Sequence, residues 1–248
     1  MTFYSTSKDE MVYYVDKKNS SKYMSQVVIP FCEEYYDANL DIIETEGDKN
    51  FICMTDKNNK AILLSYDVIN GFVNIGNFAS DRVKIMSPNI VDLLGKFKGS
   101  RRLFFRDIHE EGSKEFNAYV EHCVDLEETE IIEELKEYAY GEYSNGLATI
   151  VAKNSTNGFL TTGFRDWLKE NNDIENFIVV GCVTDICVSD FAKTLQCYIY
   201  ENNLDKQVIV PINCVETYDY DHHNAELMNV FALYSMNLGG IKIVDEII

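Results

Sequence analysis

The stretch FIVVGCVTDICVSDFA, residues 177–192, opens with four apolar residues, Phe177 to Val180, and stops at Gly181. A short run of this kind, three of its four residues β-branched, reads as a strand buried on both faces, as in a parallel sheet. A turn follows, and the helical pattern from about Asp185 carries Cys187 just inside its start. A helix N-terminus is electropositive, so a thiol delivered there is expected to ionise readily. The plain alternative is a buried structural cysteine. What the other strand ends carry weighs between the two.

Outward from this stretch, strand and helix patterns alternate from residue 61 onward. Strands are expected at 61–66 (AILLSY), 102–106 (RLFFR), 147–152 (LATIVA), 177–180, 207–212 (QVIVPI) and 241–244. Between them helices are expected at 87–97, with Ser87 as N-cap and Pro88 first in the helix, then at 126–138, 162–171, 185–201 and 221–237. This rhythm predicts an α/β fold: a three-layer α/β/α domain over residues 61–248 with a mostly parallel six-stranded sheet. Residues 1–60 break the rhythm and read as an N-terminal extension, with one possible helix at 20–36 and strand-like pieces at 41–44 and 51–54.

The chain has 248 residues and a net charge of -19, from 22 basic and 41 acidic residues. Such a surface repels phosphate backbones and anionic lipid, so neither nucleic acid nor membrane is expected as a partner. No apolar run reaches the about 20 residues needed to span a bilayer, and the N-terminus lacks a signal pattern, so a cytoplasmic location is expected. Seven cysteines without a CxxC pair suggest free thiols in a reducing compartment.

Ligands of open parallel sheets bind beyond the carboxyl ends of the strands. There the expected strands place Asp67, then Asp107 and His109, then Lys153, then Cys187. Two carboxylates, an imidazole, an amine and a thiol on one edge are more than surface decoration. His222 and His223, by contrast, start a helix and are expected to cap or pair at the surface, not to act as ligands.

Segment by segment and in order, residues 61–248 resemble the isochorismatase-like cysteine hydrolases, and within them the nicotinamidases. The segments are AILLSYDVINGF, FRDIHEEGSKEF, YVEHCV, AKNSTNGF and GCVTDICV. The resemblance implies a catalytic triad of Cys187 as nucleophile, Asp67 as proton-handling base and Lys153. It implies an oxyanion hole at the backbone N–H groups of Val183 and Cys187, with a cis peptide at Cys182–Val183. Phe72 and Tyr119 would flank the substrate ring. Asp107, His109 and His122 would hold a divalent metal ion, zinc before manganese or iron. Many relatives add a second histidine after the Asp-x-His pair; here Glu115, seven residues before His122, is expected in its place. Thr156 stands where a tyrosine is frequent.

The activity so implied is hydrolysis of nicotinamide to nicotinate and ammonia through a cysteine thioester. A small-molecule amide is then the partner, and a homo-oligomer is possible. Two other readings stay open: the same chemistry on another small carboxamide or carbamoyl compound, and a non-catalytic redox sensor or scaffold using Cys187 as its switch.

Overall fold

The computed structural model describes residues 59–247, and ahead of them the backbone of four short strands, Phe3–Tyr4, Val12–Tyr13, Leu40–Glu44 and Asn50–Met54. The helix expected at 20–36 lies outside the described residues. From residue 61 the order is β1 (Ala61–Tyr66), α1 (Ser87–Lys96), β2 (Arg101–Asp107), α2 (Glu133–Ala139), β3 (Ala148–Lys153) and α3 (Thr162–Glu170). There follow β4 (Asn176–Cys182), α4 (Ser189–Glu201), β5 (Gln207–Pro211), β6 (Val215–Glu216), α5 (Ala225–Leu238) and β7 (Lys242–Val244). The sheet runs β7-β5-β4-β1-β2-β3, and every pairing in it is parallel.

The strand β1 shows why the fold has three layers. All six of its residues are buried, and side chains alternate across a strand. Ala61 and Leu63 join Ile90, Leu93 and Leu94 of α1 and Leu135 of α2 on one face. Ile62, Leu64 and Tyr66 join Phe164 of α3, Phe191 and Leu195 of α4 and Met236 of α5 on the other. Chain order reverses beside β1: β2 and β3 lie to one side of it, β4 and β5 to the other. That reversal opens a crevice at the carboxyl ends of β1 and β4.

The six expected strands are present, and β6 makes a seventh. It takes over from β5 along β4, pairing Val215 with Gly181 and Glu216 with Cys182. The acidic helix expected at 126–138 shrinks to α2. Its first half is drawn off by the loop after β1: Gly71 N–H donates to Glu128 O, Asn70 N–H to Glu130 O, and Ile132 N–H to Val68 O. Ser87 lies inside α1, which Met86 precedes, so it is not the cap that the Ser-Pro pair suggested. The last helix starts later than expected, because Asn224 caps it by accepting from Leu227 N–H at 3.0 Å. Before the domain, Leu40–Glu44 and Asn50–Met54 pair with each other and with Glu246–Ile247 in a separate three-stranded sheet.

Candidate active site

Strand register brings the functional residues together. Tyr66 of β1 stands opposite both Phe105 of β2 and Gly181 of β4. Asp107 stands opposite Lys153. Asp67, Asp107, Lys153 and the turn after Gly181 therefore leave the sheet at one edge. Gly181 has φ 114°, and a Cβ there would run into the backbone of Tyr66, so only glycine fits. The Cys182–Val183 peptide is cis. Thr184–Val188 then forms a widened π-type turn that runs into α4 and seats Cys187, 4% exposed, over the crevice.

Lys153 is the hub. Its Nζ lies 2.8 Å from Asp67 Oδ2, 3.0 Å from Asp107 Oδ1 and 3.9 Å from Cys187 Sγ. All four residues are buried. Burial alone would lower the Lys153 ammonium, but Asp107, Asp67 and Cys187 hold it well above its ordinary value. One amine shared by two carboxylates cannot serve both equally. Burial is the largest influence on each acid. Asp107 overcomes it, with Lys153 first and the His109 and His122 imidazoles beside it, and stays well below the carboxylate range. Asp67 does not: burial outweighs Lys153, Asp107 adds repulsion, and its carboxyl is pushed up to about 7. Two acids driven apart in this way divide the roles of fixed charge and proton carrier.

Cys187 departs from its expected state. Its thiol is pushed well above the ordinary value, first by burial and then by Asp67 and Asp107, with Lys153 opposing. The dominant influence is desolvation, which penalises the anion; the electropositive turn does not prevail. To act as a nucleophile, such a thiol would need a base beside it.

The four residues expected to bind metal form one group. Their ligating atoms all lie within 4.8 Å of one another. His109 Nε2 is 3.2 Å from Asp107 Oδ1, and His122 Nε2 is 3.3 Å from Asp107 Oδ2. Glu115 Oε1 is 3.8 Å from the first of these nitrogens and 4.0 Å from the second. The far nitrogens are already engaged: His109 Nδ1 with Asn154 Oδ1 at 2.8 Å, and His122 Nδ1 with the Val120 carbonyl at 2.8 Å. Acceptors at both Nδ1 positions put the proton there and leave two Nε2 lone pairs converging on two carboxylates, an arrangement a divalent cation fits. Asn154, the residue after Lys153, is the positioning partner that spacing alone did not reveal.

Cys187 lines a cleft that opens to solvent. Phe72 and Tyr119, expected to flank the substrate, both line it, as does Thr156. Val183, expected at the oxyanion hole, lines it too; Phe78, Ile186 and Tyr218 complete the apolar walls and were not anticipated as substrate contacts. Phe78 stacks with Phe72, ring centroids 5.9 Å apart, and meets His122 edge-on at 4.8 Å. Phe78 and Tyr218 sit in loops outside the quoted segments, so only the fold could add them. Of the two late histidines, His222 is exposed as expected. His223, part-buried, does pair: its partner is Asp185 of the Thr184–Val188 turn at 2.9 Å.

Comparison with known proteins agrees with this geometry. The family model described as the isochorismatase domain matches residues 61–238. The chain is 30% identical over 214 residues to nicotinamidase 1 of Arabidopsis thaliana, covering 75% of this chain and 85% of that protein. The pyrazinamidase/nicotinamidase of Streptococcus mutans superposes with a TM-score of 0.63 at 21% identity, over 74% of this chain and 99% of that one. The pyrazinamidase of Pyrococcus horikoshii, solved in complex with zinc, does so at 0.59 and 21%, over 75% and 98%. The chain therefore belongs to the isochorismatase family of hydrolases, on its nicotinamidase branch.

Proposed function

We propose that the protein hydrolyses nicotinamide to nicotinate and ammonia through a thioester on Cys187. The observation that carries this is the Lys153 hub, joining Asp67, Asp107 and Cys187 at the edge of an aromatic cleft. The substrate's amide carbon meets Cys187 Sγ while Asp67 takes the thiol proton. Because burial disfavours a free thiolate, proton transfer and attack are coupled. Backbone N–H groups of Val183 and Cys187 receive the oxyanion. Asp67 then gives the proton to the departing ammonia, and later takes one from the water that hydrolyses the thioester. Lys153 keeps its charge throughout and steadies both anions.

The cleft favours a neutral flat ring. Phe72, Phe78, Tyr119 and Tyr218 line it, its charged lining residues Asp107 and Glu115 are acids, and neither lysine nor arginine is among the lining residues. The aromatic walls stack a flat ring, whereas the carboxylate of a carbamoyl amino acid would find no basic side chain among the lining residues. With ammonia release as the readout, nicotinamide should exceed an N-carbamoyl amino acid in kcat/KM by at least about 100-fold, on the order of the cost of unmatched buried charge. The reverse ranking would transfer the proposal to another amide of the family, a reading that Thr156, shorter than the frequent tyrosine, keeps in play. The redox-sensor reading is disfavoured, because a thiol held protonated and buried is slow to oxidise.

Asp107, His109, Glu115 and His122 would hold the ion, and two imidazoles with two carboxylates suit zinc first, manganese or iron next. When bound, such an ion supplies Lewis-acid polarisation and a low-pKa water site. Prolonged chelation should reduce turnover to a few per cent or less, with zinc or manganese restoring it. Full activity in metal-free protein, checked by elemental analysis, would remove the metal from the proposal.

A further inference from the structure

We propose that His223 is a positioning residue of this site, a clamp that fixes the nucleophile turn and one pocket wall at once. The inference rests on the amidase reading above. His223 Nε2 lies 2.9 Å from Asp185 Oδ2, and Asp185 is two residues ahead of Cys187 in the same turn. The Asp185 side chain is 4% exposed, and its Oδ1 is buried without a hydrogen-bond partner among the described residues. The bond from His223 is thus the one that satisfies this carboxylate.

The other side of His223 holds the cleft. Its Nδ1 lies 2.9 Å from the Tyr218 carbonyl, and its ring stacks on the Tyr218 ring at 4.2 Å and 21°. Tyr218 in turn packs against Phe78 at 5.1 Å, and both rings line the cleft. His223 is itself held: its N–H donates to Tyr220 O at 2.8 Å and its carbonyl accepts from Tyr220 N–H at 3.1 Å. The next residue, Asn224, caps α5. A rigid turn anchored on a helix thus bonds to the nucleophile turn with one edge and backs an aromatic wall with its face.

The two jobs predict separable defects. His223→Gln keeps a donor toward Asp185 but loses the flat ring behind Tyr218, so KM should rise roughly 5-fold with kcat near wild type. His223→Phe keeps the stack but abandons Asp185, so kcat should fall roughly 10-fold or more with KM little changed, because small displacements of a nucleophile are costly. Should His223→Phe fail to fold, Asp185→Asn weakens the same contact from the other side and should show the same kcat-weighted loss.

The kinetics are measured on whichever amide the wild type turns over. Inert nicotinamide would then count against the proposed function, while the variant pattern tests the clamp separately. A KM-weighted defect in one variant and a kcat-weighted defect in the other supports the clamp. Identical defects in both, or wild-type kinetics in both, overturn it.

Discussion

Lys153→Met should abolish turnover and lower the unfolding free energy by about 3–5 kcal/mol, the usual cost of breaking a buried ion pair from one side. The lysine is the counter-charge for two buried carboxylates, 2.8 and 3.0 Å away. Without it, Asp67 and Asp107 repel each other in a low-dielectric site, and Asp67 responds by keeping its proton. It can then no longer act as a base for Cys187. Stability loss and activity loss thus share one cause. A denaturant midpoint and an ammonia assay on the same preparation check it; a variant both stable and active would show that the hub is dispensable.

Asp67→Asn should reduce kcat/KM by on the order of 1,000-fold or more, at the upper range of general acid–base effects because both halves of the reaction use this proton carrier. Stability should respond differently. The Asp67 carboxyl is raised from 3.8 to about 7, with burial the principal cause. Between those pH values the folded protein keeps a proton that the unfolded chain has lost. The contribution of Asp67 to stability is therefore full below about pH 3.8 and is lost as pH rises to about 7. Asparagine cannot titrate, so melting temperatures at pH 5 and pH 7.5 should differ less in the variant than in wild type. The wild-type kcat/KM should climb with pH through about 7 as Asp67 ionises. A variant with wild-type activity, or a wild-type profile flat from pH 5 to 8, would contradict this role.

Much of the sheet was legible because its strands are buried on both faces. AILLSY and FIVVG are apolar but for Ser65 and Tyr66, with Asp67 just past the first and Cys187 in the turn after the second. Asp107, His109, Lys153 and His122 were legible for a related reason: each lies at or just past a strand end or in a short motif. What sequence could not supply was anything set by contact across the fold. The segment 126–132 has a helical composition, yet its backbone bonds to the loop after β1. Phe78 and Tyr218 enter the site from loops outside the quoted segments, and Asn154 stands inside one, but its bond to His109 is set by the fold. That His223 caps or pairs was legible at a helix start, but its partner Asp185, 38 residues away, was set by the fold. The thiol was misjudged because a helix N-terminus can be read from sequence, whereas the desolvation that outweighs it depends on the packed crevice.

The most direct measurement is ammonia release from nicotinamide by the metal-loaded protein, run beside a folded Cys187→Ala variant. Release by the wild type and none above background from the variant is the expected result. Undiminished release from Cys187→Ala would contradict the thioester mechanism.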